Sequence, residues 1–416
     1  MSVPRNFSSV AHYSRRRAGG RRRGFLTAPR RVRIIRREIH AYMAAELISL
    51  SSEGDPRAAV RRAAKALADG ALVAFPTETV YGLAANAANE DAIRRLRAAR
   101  HDATDQPYTV HVARGEDCDA FVPRMASLGR RFMKKAWPGP LTLVVEVPDP
   151  TRAKIYPSLG PAGRAAIFGG GNVGLRCPDH SIATELLEAA SVPIVATGAN
   201  PPGQPAPTDA AVVHRQAGAN IDLVLDAGPT RYKKPSSIVA INGDGYRLIR
   251  SGVLDERSIK RLANVNILFV CTGNTCRSPM AEGLFKKMIA EKLGCAVGDL
   301  PRRGIHIRSA GTMAFGGGGA SREAVEVGRR RGFDLTHHAA RTVDPELIHS
   351  ADYIFTMGRH HIDVLRSISP IDGGRALPLD DESDISDPAG GSLDEYERVA
   401  DRITAALRHR LEEVPL

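Results

Sequence analysis

The sequence predicts an α/β protein built from more than one domain. Three observations carry that reading. Residues 265–270 form a short apolar run, β-branched and aromatic, of the kind that makes a buried parallel strand. A tight loop follows, and then a helix over 279–288, with Pro279 in its first turn and Ala281, Leu284, Phe285 and Met288 on one face. Far upstream, a helix from Pro56 places Ala58, Val60, Ala63, Ala64, Leu67 and Ala68 at helical spacing, stops near Gly70 and gives way to a strand at 71–75. The chain has 416 residues, 43% apolar and 25% charged, which is globular composition with room for two or three domains.

Bulk composition narrows the function classes. Aromatics make up only 5%, so the cores must be mainly aliphatic. No apolar stretch approaches the length that spans a bilayer, so no membrane partner is expected. Five cysteines at irregular spacing argue against a disulfide framework and for a reducing, cytoplasmic setting. The net charge of +12 is local. Residues 1–42 hold twelve arginines against one acid, Glu38, so that arm carries +11 and the rest of the chain +1. Nucleic-acid binding by the folded domains therefore does not follow from the isoelectric point. The arm is expected to be disordered. It reads as a targeting segment or as an upstream extension before Met43.

The loop after residue 270 reads Cys271-Thr272-Gly273-Asn274-Thr275-Cys276-Arg277-Ser278. Strand, tight loop and helix aim backbone N–H groups and a helix N-terminus at one point, which suits an anion. Cys271 begins the loop and is placed to act as a thiolate nucleophile. Arg277 offers a planar fork for two phosphate oxygens. Ser278 can donate a hydrogen bond to the thiolate. Thr272, Gly273, Asn274, Thr275 and Cys276 complete a cradle for one tetrahedral anion.

Extended through Pro279-Met280-Ala281-Glu282, the string resembles the signature of the low-molecular-weight protein phosphatases. The likeness continues at Ser309-Ala310-Gly311-Thr312, Ala351-Asp352-Tyr353-Ile354-Phe355-Thr356-Met357 and Asp387-Pro388-Ala389-Gly390-Gly391-Ser392. It implies a phosphatase domain over 264–416 that uses no cofactor and acts on phosphorylated proteins, with Asp387 as the general acid. Four parallel strands are expected at 265–270, 303–308, 352–357 and about 375–379, with helices on both faces. Thr275 stands where phosphotyrosine-directed members carry a bulky aliphatic residue, and the loop looks most like the phosphoarginine-selective branch.

The upstream half carries a second set of motifs. They are Pro76-Thr77-Glu78-Thr79-Val80-Tyr81-Gly82-Leu83, Trp137-Pro138-Gly139-Pro140-Leu141-Thr142 and Val173-Gly174-Leu175-Arg176-Cys177-Pro178-Asp179-His180, followed by Ala196-Thr197-Gly198-Ala199-Asn200, Ser236-Ser237-Ile238-Val239 and Leu248-Ile249-Arg250-Ser251-Gly252. In this order they resemble the Sua5/YrdC family, the threonylcarbamoyl-AMP synthases. The resemblance implies a twisted mixed sheet over 43–254 that lines a positive cavity. It also implies threonine, bicarbonate and ATP as substrates, Mg²⁺ with the ATP, and a product used in tRNA modification. Transfer RNA, a partly double-stranded RNA, is thus an implied partner. Thr77, Thr79 and Tyr81 match the family's threonine-side motif; Arg176, Asn200 and Arg250 match nucleotide or carboxylate positions.

This chain departs from that family in two places. The family's Lys-x-Arg pair corresponds, counting back from Pro107, to Arg100 and Asp102, and its Ser-Ala-Asn reads Gly198-Ala199-Asn200. The leading reading is a bifunctional enzyme, phosphatase and synthase. The alternative is a weakened nucleotide- or RNA-binding module attached to a protein-tyrosine phosphatase. Residues 255–263 are expected to be a linker with one helical turn. Gly316 to Gly319 reads as a surface loop, and His337 and His338 as loop-bracing residues rather than metal ligands.

Overall fold

The computed structural model describes residues 45–50, 55–100, 107–201, 203–217, 220–243, 245–414 and 416. The arm at 1–42 and Asp102 lie outside the described residues.

The first domain is organised by one ten-stranded mixed sheet. Its strands are β1 (Glu46–Ser49), β2 (Val73–Phe75), β3 (Gly82–Asn86), β4 (Thr109–His111), β5 (Leu141–Glu146), β6 (Asn172–Arg176), β7 (Ile194–Gly198), β8 (Leu223–Asp226), β9 (Ser237–Asn242) and β10 (Gly245–Arg250). They are ordered β1-β8-β2-β3-β7-β4-β6-β5-β9-β10. Side chains alternate across the pleat. Along β2, Ala74 faces one core while Val73 and Phe75 face the other. Helices Pro56–Ala68 and Ser181–Ala190 cover the second face. Helices Glu90–Arg100, Ser127–Ala136 and Pro161–Phe168 cover the first. The helix expected from Pro56 forms as the sequence implies, capped by Asp55. The strand expected at 71–75 begins only at Val73, because the Leu72 amide is spent on the Asp222 carboxylate at 2.7 Å.

The second domain has a parallel sheet of four strands: β11 (Val265–Cys271), β12 (Ile305–Gly311), β13 (Tyr353–Thr356) and β14 (Leu377–Pro378), ordered β12-β11-β13-β14. The second strand, expected at 303–308, starts later and ends at Gly311, because the 3₁₀ turn Pro301–Arg303 and left-handed Gly304 precede it. Ile267 and Phe269 enter one core while Leu268 and Val270 enter the other, so this sheet is also covered on both faces. The helix expected at 279–288 is longer and starts at Arg277 itself, running Arg277–Leu293. The chain closes with helix Leu393–Glu413, entered through a capping box of Ser392 and Glu395.

Residues 255–263, expected as a linker with one turn, instead form helix Glu256–Ala263, capped by Asp255 and burying Ile259 and Ala263. The domains meet around its end. Arg131, only 3% exposed, donates to Ala263 O at 2.6 Å and to Arg303 O at 3.4 Å. Lys135 pairs with Asp352 at 2.7 Å, and Lys134 reaches the Tyr353 hydroxyl at 2.6 Å. These contacts lie at the starts of β11 and β13. The Cys271 loop lies at the opposite, carboxyl end of the sheet, where open α/β sheets present their ligand sites.

Candidate active sites

In the first domain, the β2–β3 turn and the ends of β6, β7, β9 and β10 surround a cavity of about 380 Å³. Thr77, Tyr81, Arg100, Arg176, Asn200 and Arg250 all line it. Six of the seven residues expected there are thus brought together from a span of 174 positions. Thr79 is the exception. Its side chain is buried beneath the wall, 2.8 Å from Thr77 Oγ1, and accepts from Arg176 Nη2 at 2.5 Å. It supports the lining without belonging to it.

Each arginine on the wall is held by a neighbour. Arg176 lies 3.0 Å from buried Glu78 as an ion pair, although neither Glu78 oxygen has hydrogen-bond geometry to any partner. Arg250 donates to Ser236 O at 2.9 and 3.1 Å. Burial, and then the charge of Arg176, pull the Arg250 guanidinium below its usual range. Arg100 donates to Gly198 O at 3.1 Å and to Asn200 O. A Cβ at Gly198 would stand 2.5 Å from Asn200 Oδ1, so the small residue lets the Asn200 side chain fold over this corner. Tyr81 donates to Gly228 O at 2.8 Å, and burial raises its phenol.

Sequence reasoning missed His111, which also lines the cavity. Burial and then Arg176 push its imidazole down to about 3. Its Nδ1 sits 3.1 Å from Thr109 O, which can only accept, so Nδ1 carries the proton and the ring is neutral. Among the described residues the lining holds no carboxylate.

In the second domain the loop wraps inward on Cys271. Asn274 adopts φ 55°, a left-handed conformation uncommon for a residue with a side chain. That turn aims its amide at Cys271 Sγ, 3.2 Å away. Asn274 Nδ2 donates to Ser278 Oγ at 2.9 Å, so the serine proton is directed to Cys271 Sγ at 3.0 Å or to the Ala310 carbonyl at 3.4 Å. Among the described residues, the amides of Gly273, Thr275 and Cys276 donate to no protein acceptor, so the loop keeps three N–H groups for an anion. His338, expected to brace a loop, sits with Nε2 2.7 Å from Asn274 O, and the Arg341 amide donates to Asn274 Oδ1 at 3.0 Å.

Arg277 is 5% exposed and already partnered. It donates to Ile385 O at 3.0 Å and pairs with Asp387, whose side chain is 46% exposed. The fork expected to face phosphate thus rests on the residue expected as general acid. Cys276 turns its thiol to the Tyr396 hydroxyl at 3.1 Å, a partner 120 residues away with no local signal in the sequence. The Gly316–Gly319 stretch is a loop, joined to residue 340 by Gly317 N to Ala340 O and Ala340 N to Gly318 O.

Comparison with known proteins agrees with this division. Residues 65–252 match the Sua5–YciO–YrdC family model, described as telomere recombination, and residues 266–415 match that of the low molecular weight phosphotyrosine protein phosphatases. The threonylcarbamoyl-AMP synthase of Pyrococcus abyssi is 32% identical over 58% of this chain and 68% of its own. A Mycobacterium tuberculosis protein named as a putative threonylcarbamoyl-AMP synthase is 34% identical over 48% of this chain and 87% of its own. Among solved structures, a P. abyssi Sua5 variant overlays with TM-score 0.47 and 26% identity, covering 64% of this chain and 91% of its own. A YwlE mutant from Bacillus subtilis overlays with TM-score 0.32 and 34% identity, covering 36% and 98%. The chain belongs to the threonylcarbamoyl-AMP synthase family and carries, behind its Sua5/YrdC domain, a domain of the low-molecular-weight protein phosphatase family.

Proposed function

We propose that both sites work, so that one chain carries a cysteine-dependent protein phosphatase and an L-threonylcarbamoyladenylate synthase. The observation that carries the first half is the loop around Cys271: a sulfur with two hydrogen-bond donors, under three uncommitted amides. Cys271 attacks phosphorus to give a cysteinyl phosphate, and Arg277 and the amides hold the equatorial oxygens. A bound phosphate competes for Arg277 and releases Asp387 to protonate the leaving group and then to activate water. Cys271→Ser should abolish aryl phosphate turnover while phosphate binding stays measurable. A fully active Cys271→Ser enzyme overturns the assignment.

The preferred substrate on this reading is phosphoarginine rather than phosphotyrosine. Thr275 is half-buried in the loop and, among the described residues, its hydroxyl has only a 3.5 Å contact with Cys276 Sγ, so it can meet a polar guanidinium. The P–N bond would also give Asp387 a strongly basic leaving group.

For the first domain, Arg100, Arg176 and Arg250 supply positive charge for a triphosphate and a carboxylate, and Thr77, its hydroxyl bonded to Val80 O at 2.6 Å, shapes the wall on the threonine side. ATP enters with Mg²⁺ on its phosphates, and tRNA is the downstream acceptor of the product's threonylcarbamoyl group. The alternative, a nucleotide- or RNA-binding module without chemistry, draws on one observation: Arg100 is engaged with the Gly198 and Asn200 carbonyls. Pyrophosphate release that requires threonine, bicarbonate and ATP separates the two readings.

A further inference from the structure

Beside the Cys271 loop lies a buried histidine that no sequence motif marks. His361 lies in the first turn of helix Arg359–Ile368, after β13, and it is 0% exposed. Its Nδ1 lies 3.1 Å from Gly358 O and its Nε2 lies 3.0 Å from Thr272 Oγ1. The carbonyl can only accept, so Nδ1 carries the proton and Nε2 keeps a lone pair. The Thr272 hydroxyl must then donate to Nε2, which turns an oxygen lone pair toward Arg277 Nη2 at 3.5 Å. The order is fixed from end to end: Gly358 O, His361, Thr272, Arg277.

We propose that His361 is a positioning residue for Arg277, acting through the Thr272 hydroxyl to keep one guanidinium nitrogen aimed at the phosphate site. The inference rests on the phosphatase reading and adds to it. Arg277 has two other contacts, Ile385 O from Nη1 and Asp387 from Nη2, and both come from the Asp387 segment, whereas Thr272 belongs to the phosphate loop itself. Thr272 is the only loop side chain that contacts the guanidinium among the described residues. A protonated His361 would donate from Nε2, turn the threonine proton toward Arg277 and reverse the contact.

The surroundings keep the ring neutral. Burial, the neighbouring His360 ring at 3.9 Å and the Arg277 charge all oppose protonation. The Gly358 carbonyl and Asp384 favour it, but the Asp384 carboxylate also faces Arg359 at 3.4 Å and His360 at 3.9 Å. The ordinary value of 6.5 falls to about 4.

The test uses the full chain and reads inorganic phosphate as a competitive inhibitor of aryl phosphate hydrolysis. His361→Leu removes the acceptor and should raise the phosphate inhibition constant at least fivefold. His361→Gln keeps an acceptor near the Nε2 position and should restore most of the affinity. Thr272→Val, which preserves shape, should match His361→Leu, and combining the two should add little. If His361→Leu does not fold, Thr272→Val carries the test alone. An unchanged inhibition constant in Thr272→Val, or equal losses in His361→Leu and His361→Gln, overturns the proposal while the phosphatase reading stands. A wild-type chain that hydrolyses no aryl phosphate overturns both.

Discussion

On the proposed reading, Thr275 is the side chain that selects the substrate. An aliphatic group there would pack on a flat phenyl ring, whereas a hydroxyl can bond a guanidinium. Such a contact is worth about tenfold in selectivity. Thr275→Ile should therefore move the ratio of kcat/KM for phosphoarginine and phosphotyrosine peptides toward phosphotyrosine by about that factor. If the wild type already prefers phosphotyrosine and the ratio does not move, Thr275 is not the selectivity residue. Cys276 supports a second expectation at this scale. It shares the loop with Cys271 and both are buried free thiols. Peroxide should oxidise Cys271 to a sulfenic acid that Cys276 captures as a disulfide. Inactivation should then be reversed by thiol in the wild type and persist in Cys276→Ala; loss that thiol cannot reverse in either protein contradicts the switch. For His361 the folded value lies below the unfolded one, so the unfolded chain binds more protons between pH 6.5 and about 4. Its contribution to stability is complete above 6.5 and is lost as pH falls toward 4. His111, at about 3, acts in the same direction, so the melting temperature should drop as acid is added through this window.

At the scale of elements, β12 approaches the phosphate loop closely. A Cβ at Gly311 would stand 2.5 Å from Thr272 O and 2.9 Å from Asn274 N. Gly311→Ala must displace the loop backbone that holds the left-handed Asn274. Aryl phosphate turnover should fall by more than tenfold, at a stability cost of about 1–3 kcal/mol. Normal kcat in a folded Gly311→Ala variant would show that the loop tolerates the shift. The same contacts explain what the sequence could and could not show. The strand, loop and helix around Cys271 were legible because a local string encodes them: an apolar run, a turn-forming loop and a helical face. Arg100, Arg176 and Arg250 were legible only through resemblance, and their shared cavity appears once the sheet is folded. Thr79 too came through resemblance, and a family motif does not say which of its hydroxyls lines the cavity and which lies behind it. His361, His111 and Tyr396 were not legible, since each acts on a residue that is distant in sequence or only formed by tertiary packing.

At the scale of the whole molecule, the joint between the domains is polar and half-dry. Burial pulls the Lys135 ammonium below its usual range, and the Asp352 carboxylate opposes that pull. Asp352 also accepts from the Asn266 amide at 2.8 Å, so it ties helix Ser127–Ala136 to the first turn of chain in β11. Removing it leaves a partly buried cation with the Asn264 carbonyl in place of a charged partner. Asp352→Ala should cost on the order of 1–3 kcal/mol, below the full value for a buried pair because both groups keep some contact with water. Calorimetry should show the phosphatase domain melting earlier and separating from the synthase domain; an unchanged profile would mean that the joint contributes nothing to cooperativity. The joint sits at the strand starts and the Cys271 loop at the strand ends, so the phosphatase site opens away from its neighbour domain. The two chemistries should thus run independently in one chain. The most direct measurement is pyrophosphate release by the full-length protein supplied with threonine, bicarbonate and Mg-ATP, made on the wild type and on Cys271→Ser. The account predicts release that stops when threonine or bicarbonate is withheld and that proceeds at the same rate in both proteins. No threonine-dependent release from a folded chain that still hydrolyses aryl phosphate would contradict it.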